Sequence, residues 1–143
     1  FSKGILKDLI PKDFNKRLFL VEEISENNYD DIFSVNYDLF NDNSIIIYNL
    51  PGHAAGQIGI VVNTLVGKYF LIADACWNIR AIHDNLLPSS IVRLFFHSWK
   101  DYKSTIIKLQ KFNISFPSVN IVPTHCSATT DSIVMNKIDL NVL

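Results

Sequence analysis

The stretch Leu50-Pro51-Gly52-His53-Ala54-Ala55-Gly56-Gln57-Ile58-Gly59-Ile60-Val61-Val62 constrains this chain more than any other. An apolar run ends in Pro-Gly, one histidine follows, a second glycine turns the backbone, and an apolar run resumes. The pattern predicts strand, tight loop, strand, with a single imidazole held at the loop. Glycine permits the turn, and rigid flanking strands fix the direction of the side chain. Two later segments repeat the pattern. Tyr69-Phe70-Leu71-Ile72-Ala73-Asp74 is an apolar run ending in a carboxylate, and Val119-Asn120-Ile121-Val122-Pro123-Thr124-His125 is one ending in a histidine.

Around these runs the chain alternates helix and strand signals. Phe1 to Ile10 carries a helical stripe that Pro11 closes. Asp13 to Glu23 is ambiguous, with Leu18 to Val21 legible as a short strand, and Ser25 to Asp31 reads as a polar loop. Asn41-Asp42-Asn43 is a turn leading into a strand from Ser44 to Asn49. Ile58 to Thr64 and Lys68 to Asp74 predict a hairpin around Val66-Gly67. Trp77 to Leu87 is irregular, and Pro88-Ser89-Ser90 opens a helix, serine being a good N-cap. Helical character continues from Ser98 to Phe112, where Trp99, Tyr102, Ile106 and Leu109 line one face. Val119 to Val122 is the last strand, and the tail from Ser127 is weakly patterned. Strands in the middle and a long helix before the final strand predict a layered α/β fold.

At 143 residues the chain fits one domain spanning 1–143. A net charge of −1 gives no reason to expect nucleic acid or an anionic membrane as partner. No apolar run approaches the length of a membrane span, and no signal peptide is visible. Two cysteines, Cys76 and Cys126, form no disulfide framework, which points to a reducing cytoplasm. The chain begins at Phe1, and the expectation is a piece of something longer.

His53, Asp74 and His125 are imidazole, carboxylate and imidazole, donors suited to zinc, manganese or iron. Each stands where a predicted strand gives way to a loop, and small or glycine neighbours leave room for a bound group. Cys76 and Cys126 lack the Cys-x-x-Cys spacing of a zinc site and read as buried thiols near it. His83 lies in the irregular segment and could contact substrate; His97 reads as structural. No phosphate-cradling glycine loop and no Gly-x-Ser-x-Gly elbow are present.

From about Asp38 to His125 the chain resembles the C-terminal half of a metallo-β-lactamase-fold hydrolase, most of all its lactonase-like branch. The resemblance rests on the strand entry Asp38-Leu39-Phe40-Asn41-Asp42-Asn43-Ser44-Ile45 and the loop Pro51-Gly52-His53-x-x-Gly56-Gln57. It is completed by Leu71-Ile72-Ala73-Asp74-Ala75 and Val122-Pro123-Thr124-His125, in that order. It implies the second half of an αβ/βα sandwich, a mixed sheet flanked by helices. It further implies that His53 binds one zinc ion, Asp74 bridges two, and His125 binds the other. The family's His-x-His-x-Asp-His signature is absent and would lie upstream of Phe1. Trp77 stands three residues after Asp74, where such lactonases commonly carry a tyrosine, and an indole lacks a phenol's acid chemistry.

The leading expectation is therefore part of a di-metal hydrolase of an ester, lactone or related small molecule, with Trp77 and His83 near the substrate. With two ligands per ion, one of them shared, zinc occupancy of the isolated chain is expected to be low or nil, and the chain inactive. Its partner is expected to be a second copy or the missing N-terminal half. The competing readings are a non-catalytic binding or oligomerisation module of the same fold and a free-standing redox or metal-storage protein using Cys76 and Cys126.

Overall fold

The computed structural model describes residues 7–140 apart from Ser25 and Asn28. Six strands form one mixed sheet in chain order: β1 (Glu26–Asn27), β2 (Asn36–Asp38), β3 (Ile45–Asn49), β4 (Ile58–Thr64), β5 (Gly67–Ala73) and β6 (Val119–Pro123). Neighbours from β1 to β5 are antiparallel, and β6 lies parallel to β5. A parallel neighbour needs a long crossover, which here contains α2 (Arg80–His83) and α3 (Trp99–Ser115). Helix α1 (Phe14–Arg17) precedes the sheet and α4 (Ser127–Leu140) follows it. This is the α/β architecture that the sequence predicts.

Register decides which side chains share a face. Ile46, Val61, Phe70 and Ile121 stand side by side across β3 to β6. All four are buried, beneath Tyr102, Ile106, Leu109 and Phe112 of α3. Those helix positions recur at the spacing of one helical face. Phe33, Tyr48, Phe70 and Phe112 pack edge to face or tilted in the middle of this layer. Burying each such ring or aliphatic chain contributes about 1.5–3 kcal/mol.

The next row points the other way. Tyr37, Ile47, Ile60, Leu71 and Val122 are register partners on the opposite face. Tyr37 and Ile47 are buried, but Leu71 is 42% exposed and nearby Ile58 40%.

Several local expectations need correction. Leu18 to Val21 forms no strand, because the sheet edge beside β2 is taken by Glu26–Asn27 and β propensity without a partner makes no ladder. Glu26–Asn27 itself lies in the expected polar loop, since main-chain pairing is indifferent to side-chain polarity. Ser89 makes no side-chain cap bond, and the segment it opens is a single 3-10 stretch, Ser90–Phe95. The weakly patterned tail is α4, which lies along β6 and so needs no strong apolar stripe. Residues 1–6 of the expected first helix lie outside those described; Lys7–Leu9 is a 3-10 turn.

Candidate functional site

The loop between β3 and β4 is tied down before it reaches His53. The Thr105 hydroxyl on α3 donates to the Pro51 carbonyl at 2.7 Å. The Ser98 N–H donates to the Gly52 carbonyl and the His97 N–H to the His53 carbonyl, both at 3.0 Å. Ser98 is also the N-cap of α3, its hydroxyl accepting from the Asp101 N–H. Gly52 has a φ of +142°, and a Cβ there would stand 2.4 Å from the Tyr102 Cα. No other residue fits. The histidine loop is thus pressed directly onto the first turn of α3.

Asp74 follows Ala73, whose φ of +46° is left-handed and unusual for a residue with a side chain. The β5–β6 register shifts between Leu71 and Ala73, and the Ala73 carbonyl accepts from the Thr124 N–H. Such an irregularity re-aims the side chain that follows it. His125 leaves the end of β6 just before α4, so Asp74 and His125 emerge from adjacent parallel strands.

The three side chains meet. His53 Nε2 lies 3.7 Å from Asp74 Oδ2, and His125 Nε2 lies 3.1 Å from Asp74 Oδ1. One carboxylate therefore stands between two imidazoles, one against each oxygen. The His125 contact lacks hydrogen-bond alignment, and Asp74 Oδ1 is a buried oxygen with no hydrogen-bond partner. His53 Nδ1 is likewise buried and unpartnered. Among the described residues, no group of three or more His, Cys, Asp or Glu could hold a metal ion. The donors flank Asp74 in two pairs, one imidazole against each oxygen.

Trp77 faces both imidazoles, 6.0 Å from His53 and 6.4 Å from His125 between ring centroids, edge on in each case. Phe96 packs edge on against His53 at 5.4 Å and stacks on Trp77 at 5.7 Å. Sequence reasoning placed Trp77 near the site but missed Phe96; its one signal is the Phe95-Phe96 pair just before the Ser98 cap. His83 is exposed on α2 and lines a separate cavity of about 320 Å³ with Ile79, Asn113 and Asn120. The structure does not bring it to the other three.

Cys76 and Cys126 are free and buried. Burial pushes the Cys76 thiol up to about 11, and its Sγ donates to the Asn78 carbonyl. For Cys126, burial acts upward, but hydrogen bonds from the backbone and from Thr129 together hold the thiol below its ordinary value. Among the described residues, no helix is long and apolar enough to cross a membrane.

No protein-family model and no curated protein matches the chain. Solved structures do. An N-acyl homoserine lactone hydrolase with the product N-hexanoyl-L-homoserine at its catalytic metal center superposes with a TM-score of 0.55 at 16% identity. The match covers 68% of this chain and 36% of that one. A mutant of B. thuringiensis AiiA with N-decanoyl-L-homoserine at its active site gives a TM-score of 0.55 at 16% identity, with 68% and 36% covered. A quorum-quenching N-acyl homoserine lactone hydrolase gives the same score and identity, with 68% and 37% covered. The chain thus shares part of the metallo-β-lactamase-type fold of these structures, and it spans about a third of the length of the structures it matches.

Proposed function

We propose that this chain contributes a carboxylate and two flanking imidazoles that would help hold metal in a metal-dependent hydrolase of esters, lactones or related small molecules. The observation that carries the reading is Asp74 held between His53 and His125 at the loop ends of the sheet. The donor chemistry fits: imidazole nitrogen and carboxylate oxygen are ordinary zinc ligands. Two of those donor atoms, His53 Nδ1 and Asp74 Oδ1, are buried without hydrogen-bond partners. Such orphaned polar atoms call for a partner. When bound, paired zinc ions would supply activation of water and stabilisation of negative charge on the substrate oxygen.

The chain's own residues do the rest. Asp74 sets the spacing of the two imidazoles, and the Pro51–Gly52 clamp on α3 fixes His53. Trp77 and Phe96 exclude water from one side of His53 and present an apolar wall to an acyl group. Trp77 can donate through its indole N–H but cannot exchange a proton with a leaving alkoxide as a phenol could. The protein partner in this reading is a second copy of the chain or a complementary half-domain. A second reading, a non-catalytic binding or oligomerisation module, is favoured by the absence of a complete ligand group among the described residues.

Equilibrium dialysis against zinc, for the wild type and for Asp74→Asn and His53→Ala, tests the proposal. Weak binding that both substitutions abolish is the expected result, with hydrolysis of N-hexanoyl homoserine lactone no faster than buffer. Zinc uptake indifferent to Asp74→Asn would overturn the metal reading. Brisk hydrolysis by the isolated chain would overturn the view that the site is incomplete.

A further inference from the structure

We infer that Cys76 and Cys126 are positioning residues: their sulfurs clasp one peptide unit, between Asn78 and Ile79, and so hold the Trp77 ring against His53 and His125. Both thiols are buried and free, and the proposed chemistry leaves them unused. Each sulfur has a bonding partner, and the partners are the two ends of the same peptide group. The Cys76 Sγ donates to the Asn78 carbonyl at 2.9 Å. The Cys126 Sγ accepts from the Ile79 N–H. In a trans peptide the oxygen and the amide hydrogen point in opposite directions, so the sulfurs grip the unit from both sides. Among the described residues, no backbone carbonyl accepts from the Ile79 N–H, which precedes the first turn of α2 and has no helical partner. Sulfur satisfies it instead.

The clasp sits where it governs the ring. Cys76 and Asn78 flank Trp77 in sequence, so the Cys76 bond closes a short loop around Trp77. Cys126 follows His125, so its bond ties that loop to the end of β6. Cys126 is itself anchored as the residue before α4. Its sulfur accepts from the Ala128 and Thr129 N–H groups of the first helical turn, and from the Thr129 hydroxyl at 3.2 Å. That is the role an N-cap side chain ordinarily fills through oxygen. One sulfur thus joins three elements: β6, α4 and the turn carrying Trp77. The indole they fix stands 6.0 Å from His53 and 6.4 Å from His125, edge on to both. Supporting bonds of this kind keep a site's side chains in one geometry that packing alone leaves loose. The inference rests on the proposed function, because Trp77 matters as the apolar wall of that site.

NMR on the metal-free full chain tests it. The readouts are hydrogen exchange at the Ile79 amide and cross-relaxation between the Trp77 indole and the two imidazoles. In the wild type the Ile79 N–H should exchange at least about fivefold more slowly than in the unfolded chain, as a single net hydrogen bond would give. Cross-peaks from Trp77 to His53 and His125 should accompany it. Cys126→Ala should return the Ile79 amide to the unfolded rate, and adding Cys76→Ala should remove the ring cross-peaks. The paired serine variants, Cys76→Ser and Cys126→Ser, should keep both signals, since a hydroxyl donates and accepts where the thiol does. An unprotected Ile79 amide in the wild type overturns the inference without recourse to any variant. Ring cross-peaks that persist in the double alanine variant overturn it as well. So does a serine pair as damaging as the alanine pair, which would make sulfur volume the cause and not its bonds. No readout involves zinc or turnover, so failure here and failure of the metal reading show in different experiments.

Discussion

Gly52→Ala tests how the histidine loop is held. The added Cβ would lie 2.4 Å from the Tyr102 Cα and 2.5 Å from its N, so it meets helix backbone that no rotamer change can move. The φ of +142° adds strain of about 1–3 kcal/mol for a residue with a side chain. Overpacking a tight contact costs about 1–3 kcal/mol more. The two together predict a loss near 4 kcal/mol, and relief requires the loop to leave α3, breaking the bonds to Ser98 and His97 and carrying His53 from Asp74. Gly56→Ala is the internal control, since nothing lies within 4 Å of its Cβ and its φ is not in the left-handed range. It should change stability by no more than about 0.5 kcal/mol, with some gain from a stiffer unfolded chain. Urea unfolding followed by the fluorescence of Trp77 and Trp99 measures both. With a slope of about 2 kcal/mol per molar, Gly52→Ala should lower the midpoint by roughly 2 M and Gly56→Ala hardly at all. Equal midpoints for the two variants would refute the packing argument.

Thr105→Val keeps the shape of the side chain but removes the donor to the Pro51 carbonyl; urea melts should show a loss of about 1–3 kcal/mol. Chelation should matter little: EDTA should shift the thermal midpoint by no more than about 2 °C, because a partial ligand set cannot supply the roughly 10–16 kcal/mol of a complete zinc site. A drop of many degrees would show that the ligand set is complete after all. Alkaline pH should destabilise the fold through two phenols. Burial, with the Asp30 carboxylate adding to it, raises Tyr48 well above 10, and burial raises Tyr102. The unfolded chain gives up these protons near pH 10 while the folded chain keeps them, so stability is whole below pH 10 and falls as pH rises beyond it. Absorbance at 295 nm should show Tyr48 and Tyr102 ionising only as the protein unfolds.

The strands that carry the site were legible because their physical signals are local. Apolar runs of strand length, punctuated by Pro-Gly, Asn-Asp-Asn and a glycine hairpin, locate β3 to β6 within a residue or so. The long helix was legible from its stripe, but its serine cap was not: the cap expected at Ser89 makes no bond, and Ser98 caps the helix instead. The edge of the sheet was not, because β1 and β2 are short and polar at several positions and owe their existence to a neighbouring strand. Buried Asn36 and Asp38 illustrate the point: their side chains take backbone donors, with Tyr29 N–H on Asn36 and Asn43 N–H on Asp38. No periodicity announces such bonds. At the site, sequence supplied the identities His53, Asp74 and His125 and their strand-end positions. It could not supply the pairwise arrangement around Asp74, which depends on the left-handed Ala73 and the shifted β5–β6 register.

Asp74 connects the bare face to the sparse site. Each of its oxygens is already opposed by one imidazole, so a further donor for either side must approach from elsewhere. Trp77 and Phe96 close the side toward α3, since Phe96 packs within 4.5 Å of Tyr102 between ring centroids and Trp77 stacks on Phe96. The other side is different. Ala73 and Thr124, the residues just before Asp74 and His125, line the groove on the open sheet face. A polypeptide laid across Ile60, Leu71 and Val122 would therefore end beside the carboxylate and His125. His125, with its side chain 62% exposed, is the member of the trio open to such an approach, whereas His53 at 27% is held by the loop and the aromatic wall. Whatever covers the apolar face also sets the surroundings of Asp74, and the helix side offers no comparable route.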